Sequence, residues 1–217
     1  MYPFSPAVKT ASHIIAMIFS LVGFVLLIVF AAQTGTARHI VSFSLFGASI
    51  FIFYAISAIY HFIPPTHNSK NIFARLDRSM IYLLIAGTYT PMMLVPIQGA
   101  LGITAISIIW ALAFIGIALY IIFPNLKWQV VAILFIFIVM LDIITLFPVK
   151  KAVPDKAFMW LLVGSILYGL GILVFGTSHL SLARKVPKLQ QYGIGHYLVI
   201  AGSAAHFILM FNYILFL

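Results

Sequence analysis

The stretch SHIIAMIFSLVGFVLLIVFAA, from Ser12 to Ala32, decides the fold. It holds no Lys, Arg, Asp or Glu, and as a helix rising ~1.5 Å per residue it is long enough to cross the ~30 Å hydrocarbon core of a bilayer. No Ala-x-Ala-like cleavage site precedes Thr36, so it reads as a retained helix rather than a signal peptide. Six further runs share its character: about Ile40 to Ile63, Arg78 to Pro96, Leu101 to Ile122, Val130 to Phe147, Ala157 to His179, and Gly195 to Leu217. They are separated at Gly35 with Arg38, Pro64-Pro65, Gln98-Gly99, Pro124-Asn125, Pro148 through Pro154, and Arg184 through Lys188. With 64% hydrophobic and 7% charged residues, where soluble domains carry about 25% charged, the chain is expected to be an all-α integral membrane protein. Its expected architecture is a seven-transmembrane helix bundle forming one domain over residues 1–217.

The absence of cysteine excludes disulfides, thiolate metal sites and cysteine nucleophiles. The net charge of +9 comes from twelve Lys or Arg against three Asp, and the cations stand singly in short loops between apolar runs. Membrane lipids with anionic headgroups, rather than nucleic acid, are therefore the expected partners. The N-terminus and the second, fourth and sixth loops hold eight basic residues: Lys9, Lys70, Arg75, Arg78, Lys127, Arg184, Lys185 and Lys188. The opposite side holds four, Arg38, Lys150, Lys151 and Lys156. The excess predicts a cytoplasmic N-terminus and an external C-terminus.

Ionisable side chains within a span are costly, so each is a candidate site residue. His13 opens helix 1, His61 closes helix 2, Asp77 precedes helix 3 and His196 opens helix 7, and alternating direction brings all four to the cytoplasmic-side depth. Each also has a plainer reading. His13 suits an interfacial helix end, Asp77 suits an N-terminal cap of helix 3, and His61 suits a satisfied interior histidine. Ser57, one turn before His61 on the same face, favours a functional His61. His39, His67 and His179 fall in loops or at helix ends and read as structural. His206 lies ten residues beyond His196, about 15 Å along a straight helix, too far to share one ion with it. It reads as a supporting or packing histidine, and Asp142 in helix 5 as a helix-to-helix hydrogen-bonding residue. The small residues Gly164, Gly169, Gly171, Gly176 and Ala201 to Ala205 predict close helix packing. Pro91 should kink helix 3 by freeing the Gly87 carbonyl, with Thr88 and Thr90 available to satisfy it.

Three local strings carry a resemblance: Ser57-Ala58-Ile59-Tyr60-His61; Asp77 followed by Ile81-Tyr82-Leu83-Leu84-Ile85-Ala86-Gly87-Thr88-Tyr89-Thr90-Pro91; and His196 with Gly202-Ser203 and His206. Together they resemble the hemolysin III branch of the progestin and adipoQ receptor (adiponectin receptor-like) family, over nearly all seven spans. The resemblance implies a seven-helix bundle in the bacterial plasma membrane, with a zinc ion near the cytoplasmic side. In the family the ion is held by a histidine at the end of helix 2 and two histidines four residues apart on helix 7, with a helix-3 aspartate contacting it through water. Those roles fall here on His61, His196 and, through water, Asp77. Where the family has the first helix-7 histidine this chain has Tyr192, and Ser5, Pro6 and Lys9 replace the family's Glu and Asn ahead of Ser12-His13. A phenol, with a pKa of about 10, ligates zinc only if the metal deprotonates it. The shell is thus left to His61, His196 and Asp77, Tyr192, His13 or water.

The resemblance to alkaline ceramidases and adiponectin receptors implies a zinc-dependent intramembrane hydrolase of a lipid amide, such as ceramide, or a related acyl substrate entering from the bilayer. Asp77 would accept a proton from water, and Ser57 would bond the developing oxyanion or orient a ligand. The alternative is a membrane receptor or lipid-homeostasis protein without turnover, favoured by the departures at Tyr192 and ahead of His13. Pore formation would need a polar stripe through the bilayer. Asp142 is the one acidic residue clearly within a span, so an open channel is not expected.

Overall fold

The computed structural model describes residues 6–64, 66–177 and 188–217, without the side chains of residues 6, 7, 9, 128, 175–177 and 188–192. Among the described residues seven α-helices follow one another: α1 (Pro6–Thr34), α2 (Ala37–Phe62), α3 (Lys70–Leu94), α4 (Gly99–Ile122), α5 (Trp128–Ala152), α6 (Asp155–Thr177) and α7 (Lys188–Asn212). A 3₁₀ turn, Ile214–Phe216, closes the chain. Six of the helices are long and apolar enough to cross a membrane. The exception, α3, carries Lys70, Arg75, Asp77 and Arg78 in its first turns. It is also the most enclosed helix, burying Tyr82, Leu84, Ala86, Gly87, Thr90 and Met93 among others. Shielded by its neighbours from lipid, α3 does not need the apolar surface that the outer helices present.

Several boundaries differ from the sequence reading: α1 and α7 begin at Pro6 and Lys188, not at Ser12 and Gly195, so His13 and His196 lie about two turns inside their helices instead of opening them. The third helix begins at Lys70, not Arg78, so Asp77 is not its N-terminal cap: that position is Ser69, and Asp77 lies about two turns inside. The fifth helix runs through Pro148 to Ala152 instead of ending at Phe147. Proline near a helix end frees a single carbonyl, which the polar membrane boundary can solvate. The break at Gln98-Gly99 is present, with Gly99 at φ +82°, where a side chain would be strained.

Helices α1 to α4 pack in sequence, α6 packs along α7, and α1 meets α7 and the final turn. Glycines set the spacing. A Cβ on Gly87 of α3 would collide with the Ser49 side chain of α2, and one on Gly202 of α7 with the Tyr168 ring of α6. Gly169, by contrast, faces open space. Polar ties cross the apolar core: Tyr54 Oη donates to Ser203 Oγ at 2.7 Å, joining α2 to α7. Tyr168 Oη lies 2.9 Å from the same oxygen, adding α6. Trp110 Nε1 donates to Thr90 Oγ1 at 3.0 Å, joining α4 to α3. The hydroxyls near Pro91 do not reach the Gly87 carbonyl: Thr88 and Thr90 donate to Leu84 and Ala86.

Candidate metal centre

The α2 to α3 corner is built first. Ile63 precedes Pro64, a position that disfavours helical backbone, and its extended φ/ψ ends α2 just after His61. The carbonyls left open there are taken by Lys70, whose ammonium donates to Ile63 O at 2.9 Å and to Tyr60 O. The same ammonium lies 4.0 Å from the centroid of the Tyr60 ring. A cation at a helix C-terminus also meets the negative end of its dipole. Lys70→Met is expected to lower stability by about 1–2 kcal/mol, since charge-assisted hydrogen bonds are lost at a half-exposed place. Thermal unfolding in detergent reads this directly, and an unchanged midpoint would mean that water replaces the ammonium without cost.

One turn before His61, the fully buried Ser57 hydroxyl donates to Asp77 Oδ1 across the α2 to α3 interface. The carboxylate is therefore held against α2 by a neutral donor, and half-buried. On α1, His13 lies on the stripe that also buries Gly23, Leu27 and Ala31, while Ile14, Ile15, Ile18 and Phe19 face outward. His13 is 1% exposed. On α7, His196 is half-buried about two turns from the helix start.

The three imidazoles converge at this end of the bundle. Ring centroids are 4.9 Å apart for His13 and His61, 4.6 Å for His13 and His196, and 5.0 Å for His61 and His196. The first pair is nearly parallel, and His196 stands edge-on to both. One nitrogen from each ring lies within 4.8 Å of the other two. The donor set suits zinc: neutral imidazole is a common zinc ligand, and three protein ligands leave the fourth tetrahedral position open, as a reaction on water requires. Bound at ~2.0–2.1 Å, such nitrogens would stand roughly 3.3 Å apart, so from a spacing within 4.8 Å the rings would close by up to about 1.5 Å.

The structure thus brings together His61 with His196, which the sequence reading places at one depth, and it bonds Ser57 to Asp77, a pairing that the sequence reading does not make. The Asp77 carboxylate is not one of the three-imidazole group. Tyr192 and His179 have side chains outside the described residues. His206 stands apart, 2% exposed, with its ring 4.9 Å from that of Tyr168 and its Nε2 only 2.6 Å from where a Gly164 Cβ would sit. His39 has a structural role, its Nδ1 accepting the Thr36 amide at 3.1 Å at the start of α2. The Asp142 carboxylate does not make the helix-to-helix hydrogen bond expected of it among the described residues; the tie from α5 to α3 is instead Thr145 Oγ1 with Tyr89 Oη, 2.5 Å apart. Sequence reasoning placed His13 at the correct depth without assigning it to the site. It missed the Lys70 clamp, whose signal is a lysine just beyond a proline-terminated helix.

The family model described as haemolysin-III related matches residues 2–207. The chain belongs to the haemolysin-III related family. It is 38% identical over 205 residues to a hemolysin-3 homolog of Bacillus subtilis (strain 168), covering 93% of this chain and 91% of that one. It is 36% identical over 206 residues to hemolysin-3 of Bacillus cereus, covering 94% and 89%. With six helices long and apolar enough to cross a membrane and with these bacterial relatives, this haemolysin-III related chain is a multi-pass membrane protein of the bacterial plasma membrane.

Proposed function

We propose that this haemolysin-III related protein is a zinc-dependent intramembrane hydrolase of a lipid amide or a related acyl substrate. The observation that carries the reading is the convergence of imidazoles from separate helices, with a carboxylate bonded to Ser57, one turn before His61 on α2. Ligand-competent groups collected at one end of an otherwise apolar bundle suit chemistry at a lipid's polar head. They do not suit conduction, which needs polar lining along the whole path.

A zinc ion held by His61 and His196 would supply Lewis-acid chemistry, polarising an acyl carbonyl and making water nucleophilic near neutral pH. Asp77 would take the proton of the attacking water and return it to the leaving amine as the carbon–nitrogen bond breaks. Ser57, already donating to Asp77 Oδ1, would leave the other carboxylate oxygen to face the reaction. Its role is thus to position Asp77 rather than to receive the oxyanion. The acyl chain would enter between helices from the bilayer.

Purified protein should contain about one zinc per chain and should release fatty acid from vesicles doped with ceramide or another N-acyl lipid. Absence of zinc would overturn the reading. Zinc without hydrolysis across amide and ester lipids would favour a receptor or lipid-homeostasis role, the alternative suggested by tyrosine at position 192.

The eight-to-four basic asymmetry supports a cytoplasmic N-terminus and an external C-terminus, an orientation in which this site would lie at the cytoplasmic side. Single cysteines at Lys70 and Lys151 in this cysteine-free chain should label from opposite faces of the membrane. Labelling of both from one face would reverse the assignment.

A further inference from the structure

We infer that His13 of α1 is the third imidazole ligand of the zinc ion, so that the shell is drawn from α1, α2 and α7. The inference rests on the metal reading above and specifies which residues complete it.

Three observations converge. First, the His13 ring is placed for ligation, not merely near: it stands 4.9 Å from His61 and 4.6 Å from His196, and the three rings present nitrogens within 4.8 Å of one another. Second, His13 is 1% exposed although it lies only about two turns from the start of α1, where an imidazole would ordinarily keep its polar edge in the interface. The helix turns it inward because the neighbouring positions pack that way. A Cβ on Gly23 would meet the Phe207 ring at 2.7 Å, and one on Gly47 would collide with Phe24, so the face of α1 carrying His13 is locked against α2 and α7. Behind His13 lies Tyr54, with ring centroids 6.2 Å apart, itself held by its bond to Ser203. Third, the chain offers a tyrosine at position 192, one turn before His196, and a phenol must lose a proton of pKa about 10 to bind zinc. His13 supplies a neutral imidazole without that cost and restores a three-nitrogen shell with one open position.

A structural consequence follows. Across the boundary between α1 and α7, described side-chain contacts include His13 with His196, Gly23 with Phe207, and Phe30 with Phe211, whose ring centroids are 5.4 Å apart. Zinc bound by His13 and His196 would clasp the two helices at the site end.

The test uses full-length protein in detergent with zinc alone as the probe. X-ray absorption should find three imidazoles on zinc in the wild type and two in His13→Gln, which keeps a polar side chain of similar length and a good helix former. Zinc affinity should fall by ~10²-fold or more, the upper end of what loss of a mere supporting contact costs. Zinc should also slow amide exchange around His13 in the wild type and not in His13→Gln. That readout does not move if the histidine only packs. An unchanged shell, unchanged affinity or equal exchange protection in a folded His13→Gln overturns the assignment and leaves the metal reading standing. A wild-type shell of two imidazoles overturns it without any variant. A wild type that binds no zinc overturns the metal reading itself.

Discussion

Asp77→Asn is expected to abolish most lipid hydrolysis while leaving the zinc in place. The asparagine is nearly isosteric and keeps a carbonyl oxygen to accept from the Ser57 hydroxyl, so the α2 to α3 contact survives. What is lost is the ability to take a proton from water, and general base catalysis contributes typically ~10²–10⁴-fold. Turnover should therefore drop by that factor, with metal content unchanged because the carboxylate is not one of the three-imidazole group. Ser57→Ala should act in the same direction but more weakly, about 10-fold to 100-fold, since it removes orientation and leaves the base. Loss of zinc in Asp77→Asn would instead put the carboxylate on the metal. Unchanged turnover would remove Asp77 from the chemistry.

The spans were legible because a bilayer imposes one demand on every lipid-facing turn, and runs such as Ser12 to Ala32 meet it without ambiguity. The ends of helices were less legible. Lys70, Arg75 and Arg78 look like a loop, yet they occupy the first turns of α3, where long cationic side chains reach carbonyls and rings at the boundary: Lys70 at the end of α2, Arg75 at Ile121 O, 3.0 Å away. Pro148 looks like a stop, yet lies close enough to the end of α5 to be tolerated. For the site, periodicity gave the depth of each imidazole but not its direction. The first helix is apolar nearly all round, so nothing in its composition says which face turns inward. That azimuth is fixed by tertiary contacts, Phe24 against Gly47 and Phe207 against Gly23, which only the packed bundle reveals. Ser57 and Asp77 were each legible as candidates, but their mutual bond depends on α3 starting early enough to carry Asp77 inside the helix.

The largest expected contrast lies among the histidines. His61→Ala and His196→Ala should each strip most zinc from the protein, weakening affinity by more than ~10²-fold, because each removes one of the three imidazoles that, among the described residues, bring nitrogens within 4.8 Å of one another. Neither residue is fully buried, so stability without metal should change little. His206→Ala should behave in the opposite way. That ring is 2% exposed, lies against Tyr168 and rests where Gly164 has no Cβ, so truncation opens a cavity between α6 and α7. By analogy with other large-to-small core changes the loss should be about 2–4 kcal/mol. Zinc affinity should remain within ~10-fold, because the ten residues between His196 and His206 place them about 15 Å apart along α7. Metal titration and thermal unfolding on the same three variants separate the two roles. Equal zinc loss in a folded His206→Ala would show that α7 brings His206 to the metal after all, and unchanged zinc in His61→Ala would leave the imidazole cluster without its role as a metal centre.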